Sequence, residues 1–307
     1  MNILIIKHGS IGDFVMSIGS IRSIRNKFPK NKIYLLTTTL IKNKFFKIPY
    51  VDQIFIDDRK SKLDLVKYLL KLRKLNISLI VDLQNSQRTE IYHLFTRIFF
   101  KHININSARN FAQFRYKIPP HGYEHVCEGL NNQLKLIEIN SFFEPNLEWL
   151  KNSQFKSPFK GNYVVLIPGS SKSGKKKRWH ANSFSILSEI FINANYGVIV
   201  TGSSSDREII EEIKILNQKV IISENLSKFE NFINLCEQSS LIVSVDTGPA
   251  HIAALSNKPF IWLVKKGLYD RTNIPLSKNI HIIKADEMQN ISVEEVVKTS
   301  KEILNIT

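Results

Sequence analysis

At 307 residues the chain is long for one compact core and suits two domains of about 150 residues each. Its 43% hydrophobic and 10% aromatic content lets both halves bury a core, and its two cysteines, Cys127 and Cys236, exclude a disulfide framework and a cysteine-built metal site. With 43 Lys and Arg against 27 Asp and Glu, the formal charge of +16 favours anionic partners (nucleic acid, acidic membrane, phosphorylated substrate) without choosing among them, because a Lys-, Ile- and Asn-rich chain is also what AT-rich coding yields.

The opening residues MNILIIKHGS lack a basic leader and a small-residue cleavage site, so a cytoplasmic protein is expected. No run approaches the roughly 18 to 20 apolar residues of a membrane span. In chain order, NILIIKHG reads as a strand ending in a glycine turn, and SIGSIRSIRNKFP has helical spacing up to Pro29. NKIYLLTT and VDQIFIDD are strands, KLDLVKYLLKLRKLN is a basic amphipathic helix, and ISLIVDLQ is apolar enough for a strand buried on both faces. In TEIYHLFTRIFFKH, Ile91, Leu94, Phe95, Ile98 and Phe99 make one helical stripe with Arg88, Arg97, Lys101 and His102 around it. A core-facing stripe with a solvated basic side is expected, a membrane-surface helix being the alternative.

From Phe142 to Gly161 the pattern lapses into a Pro-, Lys- and Asn-containing stretch, read as a linker. A second alternating series follows: strands at YVVLIPG, YGVIVTGS, KVIISEN, SLIVSVDTG and PFIWLVKK, interleaved with helices at NSFSILSEIFINAN, SDREIIEEIKILN, SKFENFINLCEQS and PAHIAALSN, then a last helix at SVEEVVKTSKEILN. Strands spaced by helices of this length indicate βαβ units and parallel sheets. Two such halves imply a cleft, with ligands at the carboxyl ends of the strands.

Three strand ends carry candidate chemistry. At the first, Asp13 follows Gly12 where a buried strand turns into a helix. At the second, Gly169, Gly174 and Lys175 are one residue short of a P-loop, since Lys176 stands where a Ser or Thr must hold magnesium. The Gly/Ser turn and the run Lys175, Lys176, Lys177, Arg178 still suit a diphosphate bound without an obligatory metal. At the third, SVDTGPAHIAAL puts Pro249 in a first helical turn, leaving the N–H groups at Thr247 and Gly248 open to an anion. Asp246 there can accept sugar hydroxyls, and His251 lies one turn in.

SVDTGPAHIAALSNKP resembles the signature of glycosyltransferase family 9, the ADP-heptose:lipopolysaccharide heptosyltransferases, and ILIIKHGSIGDFVMS is similar to that family's N-terminal motif. IVDLQNSQRT and HVCEGL, from His125, resemble its Asp-Leu-Gln and His-x-x-Glu segments. The resemblance implies an α/β GT-B fold, two Rossmann-like domains with parallel sheets facing across a cleft. Residues 1–155 would bind acceptor and 156–307 the nucleotide sugar. It implies inverting transfer from an ADP-sugar to lipopolysaccharide inner core, with Asp13 as general base. Ser170, Ser171, Lys175, Lys177, Asp246, Thr247, Gly248 and His251 would hold the donor, and Gly12, Gln84, Arg88 and Arg115 the acceptor. The lysine that meets the diphosphate stays open among 175–177. No metal, no tightly bound cofactor and no nucleic acid are expected; an anionic glycolipid at the inner face of the cytoplasmic membrane is. After PFIWLV the chain departs from the family pattern with KKGLYDRTNIP, which leaves sugar selectivity open. A transferase acting on another glycan or a protein hydroxyl, and an epimerase or hydrolase of the same plan, are the alternatives.

Overall fold

Alternating inward positions of one short strand set the architecture of the first half. In β1 (Asn2–Ile6), Ile3, Leu4, Ile5 and Ile6 are all buried, Leu4 and Ile6 in one apolar layer and Ile3 and Ile5 turned to the other face. The computed structural model describes residues 1–58, 60–61, 63–119, 124–169, 177–223, 229–267 and 272–306, which divide into two units, Met1–Trp149 and Leu150–Thr307.

In the first unit β1 is followed by α1 (Ile11–Lys27), β2 (Lys32–Thr37), α2 (Thr39–Lys44), β3 (Gln53–Ile56), α3 (Leu63–Lys74), β4 (Ile77–Asp82), α4 (Gln87–Phe99), β5 (Asn104–Ser107), β6 (Phe114–Arg115) and α5 (Val126–Lys135). Its sheet is parallel, in the order β3-β2-β1-β4-β5-β6. Right-handed crossovers put α3 and α4 on one face, where Tyr68 stacks on Tyr92 at 4.5 Å. On the other face α5 meets α1, the Cys127 thiol donating to Met16 O at 3.3 Å.

The second unit repeats the plan with β7 (Tyr163–Ile167), α6 (Ala181–Asn193), β8 (Gly197–Thr201), α7 (Arg207–Leu216), β9 (Ile221–Ser223), α8 (Phe229–Glu237), β10 (Leu241–Val245), α9 (Gly248–Ala254), β11 (Phe260–Lys265), β12 (Ile280–Ala285) and α10 (Val293–Leu304). Its order, β12-β11-β10-β7-β8-β9, is that of the first unit read from the other edge. Trp179 anchors its core, edge-on to Phe184 at 5.1 Å and donating Nε1–H to Ile291 O at 3.0 Å. In both sheets the order reverses beside the first strand, between β1 and β4 and between β7 and β10. Ligands of doubly wound sheets bind at such points, beyond the carboxyl ends of the strands.

The Phe142–Gly161 stretch is less of a free linker than its composition implies. Its start belongs to the first unit, with Arg22 over the Phe143 ring at 4.3 Å and Phe143 N donating to Ser23 Oγ at 3.3 Å. Its later part is fastened to the second unit, where Asn152 N donates to Asn234 Oδ1 at 2.9 Å. A Cβ on Gly19 of α1 would lie 2.0 Å from the Phe143 carbonyl oxygen. Helix propensity favours Ala by about 1 kcal/mol, but a rigid backbone atom that close outweighs it. Gly19→Ala is therefore expected to destabilise by roughly 2 to 3 kcal/mol net, read from the urea midpoint.

One expectation is reversed. The α4 stripe at Ile91, Ile98 and Phe99 faces solvent, at 50%, 54% and 61% exposure, and the inner face is Thr89, Tyr92, His93 and Thr96. The hydroxyls there tolerate burial because each finds a partner: Tyr92 OH donates to Asp57 at 2.7 Å, Tyr68 OH and Thr96 Oγ1 are 2.9 Å apart, and Thr89 Oγ1 donates to Ser86 O at 2.8 Å. His93 lies with Nε2 3.3 Å from Asp82, and burial pulls its pKa down. An apolarity pattern has no way to rank a hydrogen-bonded Tyr or Thr above Ile or Phe.

Candidate functional site

At the first unit's switch point, the turn after β1 is shaped around Asp13. Ser10 caps α1, and Asp13, three residues on, completes a capping box: its Oδ2 accepts from Ser10 N at 3.1 Å and Ser10 Oγ at 3.0 Å. Oδ1 has no hydrogen-bond partner among the described residues, so one oxygen fixes the rotamer and the other remains available. A Cβ on Gly9 would stand 2.9 Å from Asp13 Cβ, so glycine at 9 makes room for the aspartate.

The neighbouring β4–α4 loop braces this turn. Gln84 Oε1 accepts from His8 N at 3.0 Å and Gly9 N at 2.7 Å, and Asp82 Oδ1 accepts from Gln84 N and Asn85 N at 2.9 and 3.0 Å. Gln84, expected at the acceptor, thus spends its carbonyl on the turn that carries Asp13. Gly12 is buried in the first turn of α1. Arg88 is engaged internally, 3.3 Å from both Asp57 and Asp64 and donating Nε–H to Tyr92 OH at 2.8 Å, while His8 Nε2 lies 3.0 Å from Asp57. Arg115 is exposed on the edge strand β6.

Sequence reading missed Lys7. It is buried directly behind the turn, Nζ donating to Leu83 O at 3.1 Å. Burial pulls its pKa down, opposed by the nearby charges of Asp13, Asp82 and Cys127. The available signal was a lysine ending a strand buried on both faces.

In the second unit β7 delivers Gly169 to the switch point. A Cβ there would fall 2.1 Å from Asp206 Cγ, and Asp206 is itself fixed, accepting from Ser203 N at 2.9 Å and Ser203 Oγ at 2.7 Å. Ser170, Ser171 and Lys175 lie outside the described residues. Lys177 lies within them and donates to Asp246 Oδ2 at 2.6 Å, joining the end of the loop after β7 to the end of β10. Thr247, next along, is extended at φ −150° and makes no side-chain cap bond, and Pro249 occupies the first turn of α9. His251 is buried in that short helix. The structure thus brings Lys177, Asp246, Thr247, Gly248 and His251 together. A half-exposed ammonium held by a carboxylate, beside uncapped N–H groups, can meet an anion and a hydroxyl at once.

Among the described residues no group of three or more His, Cys, Asp or Glu is placed to hold a metal, and no helix is long and apolar enough to cross a membrane.

The family model described as glycosyltransferase family 9 (heptosyltransferase) matches residues 70–302. The chain is 23% identical over 323 aligned positions to the Lipooligosaccharide heptosyltransferase 2 of Haemophilus influenzae, covering 96% of this chain and 92% of that protein. Among solved structures it resembles the E. coli ADP-heptose lps heptosyltransferase II, with a TM-score of 0.76 at 17% identity over 99% of both chains. It also resembles the glycosyl transferase family 9 protein of Veillonella parvula, with a TM-score of 0.80 at 14% identity over 99% of this chain and 97% of the other. At these identities the structural likenesses establish the GT-B fold.

Proposed function

Because this chain belongs to glycosyltransferase family 9, the heptosyltransferases, we propose that it moves a heptose from ADP-heptose to a lipopolysaccharide inner-core acceptor with inversion, acting at the cytoplasmic face of a membrane. The observation that carries this reading is the Asp13 carboxylate, held by one oxygen at a switch point with the other available. Asp13 takes the proton of the acceptor hydroxyl as its oxygen attacks the anomeric carbon. The bond from that carbon to the phosphate oxygen breaks on the opposite face, and ADP departs with the electron pair. Negative charge gathers on the leaving diphosphate, where Lys177, the Gly248 N–H and the loop residues Ser170, Ser171 and Lys175 stabilise it. Asp246 and His251 orient the donor sugar. On the acceptor side Arg115 is the stronger cation for a phosphorylated or carboxylated sugar, since the charge of Arg88 is already met by Asp57 and Asp64. In this reading Gly12 and Gln84 act on the acceptor side by shaping the turn that carries Asp13, Gln84 Oε1 accepting from His8 N and Gly9 N.

Donor identity is read by thermal shift. At a hundredfold excess over Kd a ligand stabilises by about 2.7 kcal/mol, roughly 5 °C or more for a domain of this size. ADP-heptose and ADP are expected to raise Tm, with UDP- and GDP-sugars inert at equal concentration. A shift confined to a UDP-sugar would overturn the donor assignment.

A further inference from the structure

We propose that the outer face of α3 and α4 is a docking surface for an anionic lipid bilayer. Scattered exposed apolar side chains are ordinary, but adjoining stripes on neighbouring helices are not. On α3, Leu63, Val66 and Leu70 stand one turn apart with Leu63 and Leu70 at 64% and 62% exposure, and on α4 the exposed stripe is Ile91, Ile98 and Phe99. Both helices turn their inner sides to the same sheet face, α3 with Tyr68 and Leu72 and α4 with Thr89, Tyr92, His93 and Thr96, and there Tyr68 meets both Tyr92 and Thr96. That contact sets them side by side in parallel, so their apolar stripes share one outward face.

Charge selects the occupant. Arg73, Lys74, Arg97 and Lys101 gather at the C-terminal ends of the two helices, at one end of the patch. Cations there complement the helix dipoles, which explains the charges but not the apolar stripes beside them. The acids nearby are spoken for: Asp64 is shared with Arg88, and Glu90 accepts from Asn110 at 2.5 Å. A second copy would bring the same cations against these, whereas a bilayer rich in acidic headgroups neutralises them while its acyl boundary covers the leucines and phenylalanine. The surface stands on this geometry alone; the glycolipid acceptor proposed above gives it a use and rests on that reading.

Cosedimentation with phosphatidylcholine vesicles, with and without 30% phosphatidylglycerol, is the test (the lipid fraction being about what makes a surface strongly anionic). Wild-type protein is expected to bind the anionic vesicles at least about tenfold more tightly than the neutral ones. The Leu70→Ser/Phe99→Ser and Arg73→Glu/Lys74→Glu variants should each lose about tenfold or more, with Tm and transfer to a lipid-free acceptor fragment unchanged. Equal binding by wild type and both variants, or no binding to either vesicle, would overturn the proposal. So would a wild-type dimer that Leu70→Ser/Phe99→Ser dissociates, since the face would then be covered by another copy. Vesicle binding that follows the variants while no preparation transfers sugar to the lipid-free acceptor supports the surface and removes the glycolipid reading instead.

Discussion

Asp13→Asn is expected to lower transfer by about 10³-fold while leaving ADP-heptose affinity within about threefold, because a general base contributes on the order of 10² to 10⁴ to the rate and nothing to donor binding. The competing account of Asp13 is purely structural, as the third residue of a capping box. The two accounts separate cleanly at Asn. Its amide oxygen can still accept from Ser10 N and Ser10 Oγ, so the cap survives and the stability change stays below about 1 kcal/mol. It cannot take a proton. A variant that melts several degrees lower and loses activity only in proportion would assign Asp13 to the cap. Loss of ADP-heptose affinity with an intact fold would place Asp13 on the donor instead.

Lys177→Ala is expected to reduce kcat by about 10² to 10³, the cost of removing one donor from a site that stabilises developing charge. The alternative is that Lys177 and Asp246 form an ordinary ion pair at a partly exposed rim. Such pairs contribute about 0 to 1 kcal/mol, and their loss would shift Tm slightly and leave turnover alone. Arg178, the next residue, supplies the control. It has its own acidic partners, 3.7 Å from Asp206 and 3.8 Å from Glu208, and faces the start of α7. Arg178→Ala should cost stability with little effect on kcat, the opposite of Lys177→Ala. Equal effects of the two on turnover would show that the loop acts only through its net charge.

The fold was legible because its physics is local. Predominantly apolar five- and six-residue strands such as YVVLI and ISLIVD, spaced by helices, leave few arrangements besides parallel sheets covered on both faces. The strands that escaped notice were polar or peripheral: β5 reads NINS, β6 is the two residues Phe114 and Arg115, and β12 alternates at an edge. Candidate site residues could be proposed at strand ends for the same reason, since ligands of doubly wound sheets bind beyond the carboxyl ends of the strands. What was not readable is pairing across the fold. Nothing local tells that Gln84 braces a turn some 75 positions earlier, that Arg88 is shared by Asp57 and Asp64, or that Lys7 is buried. The α4 face failed similarly: Tyr68, Tyr92, Thr96 and Asp57 must be known as neighbours before the polar side of that helix can be seen as its inside.

The most direct measurement of the central claim follows ADP release from ADP-heptose by the wild-type enzyme, with and without a defined inner-core acceptor, while the sugar is tracked by mass spectrometry and NMR. Transfer primed by Asp13 predicts that ADP appears only when the acceptor is present, one for one with a glycosylated product of inverted anomeric configuration. Sustained ADP release to free heptose, or an epimerised sugar, in the absence of any acceptor would contradict it.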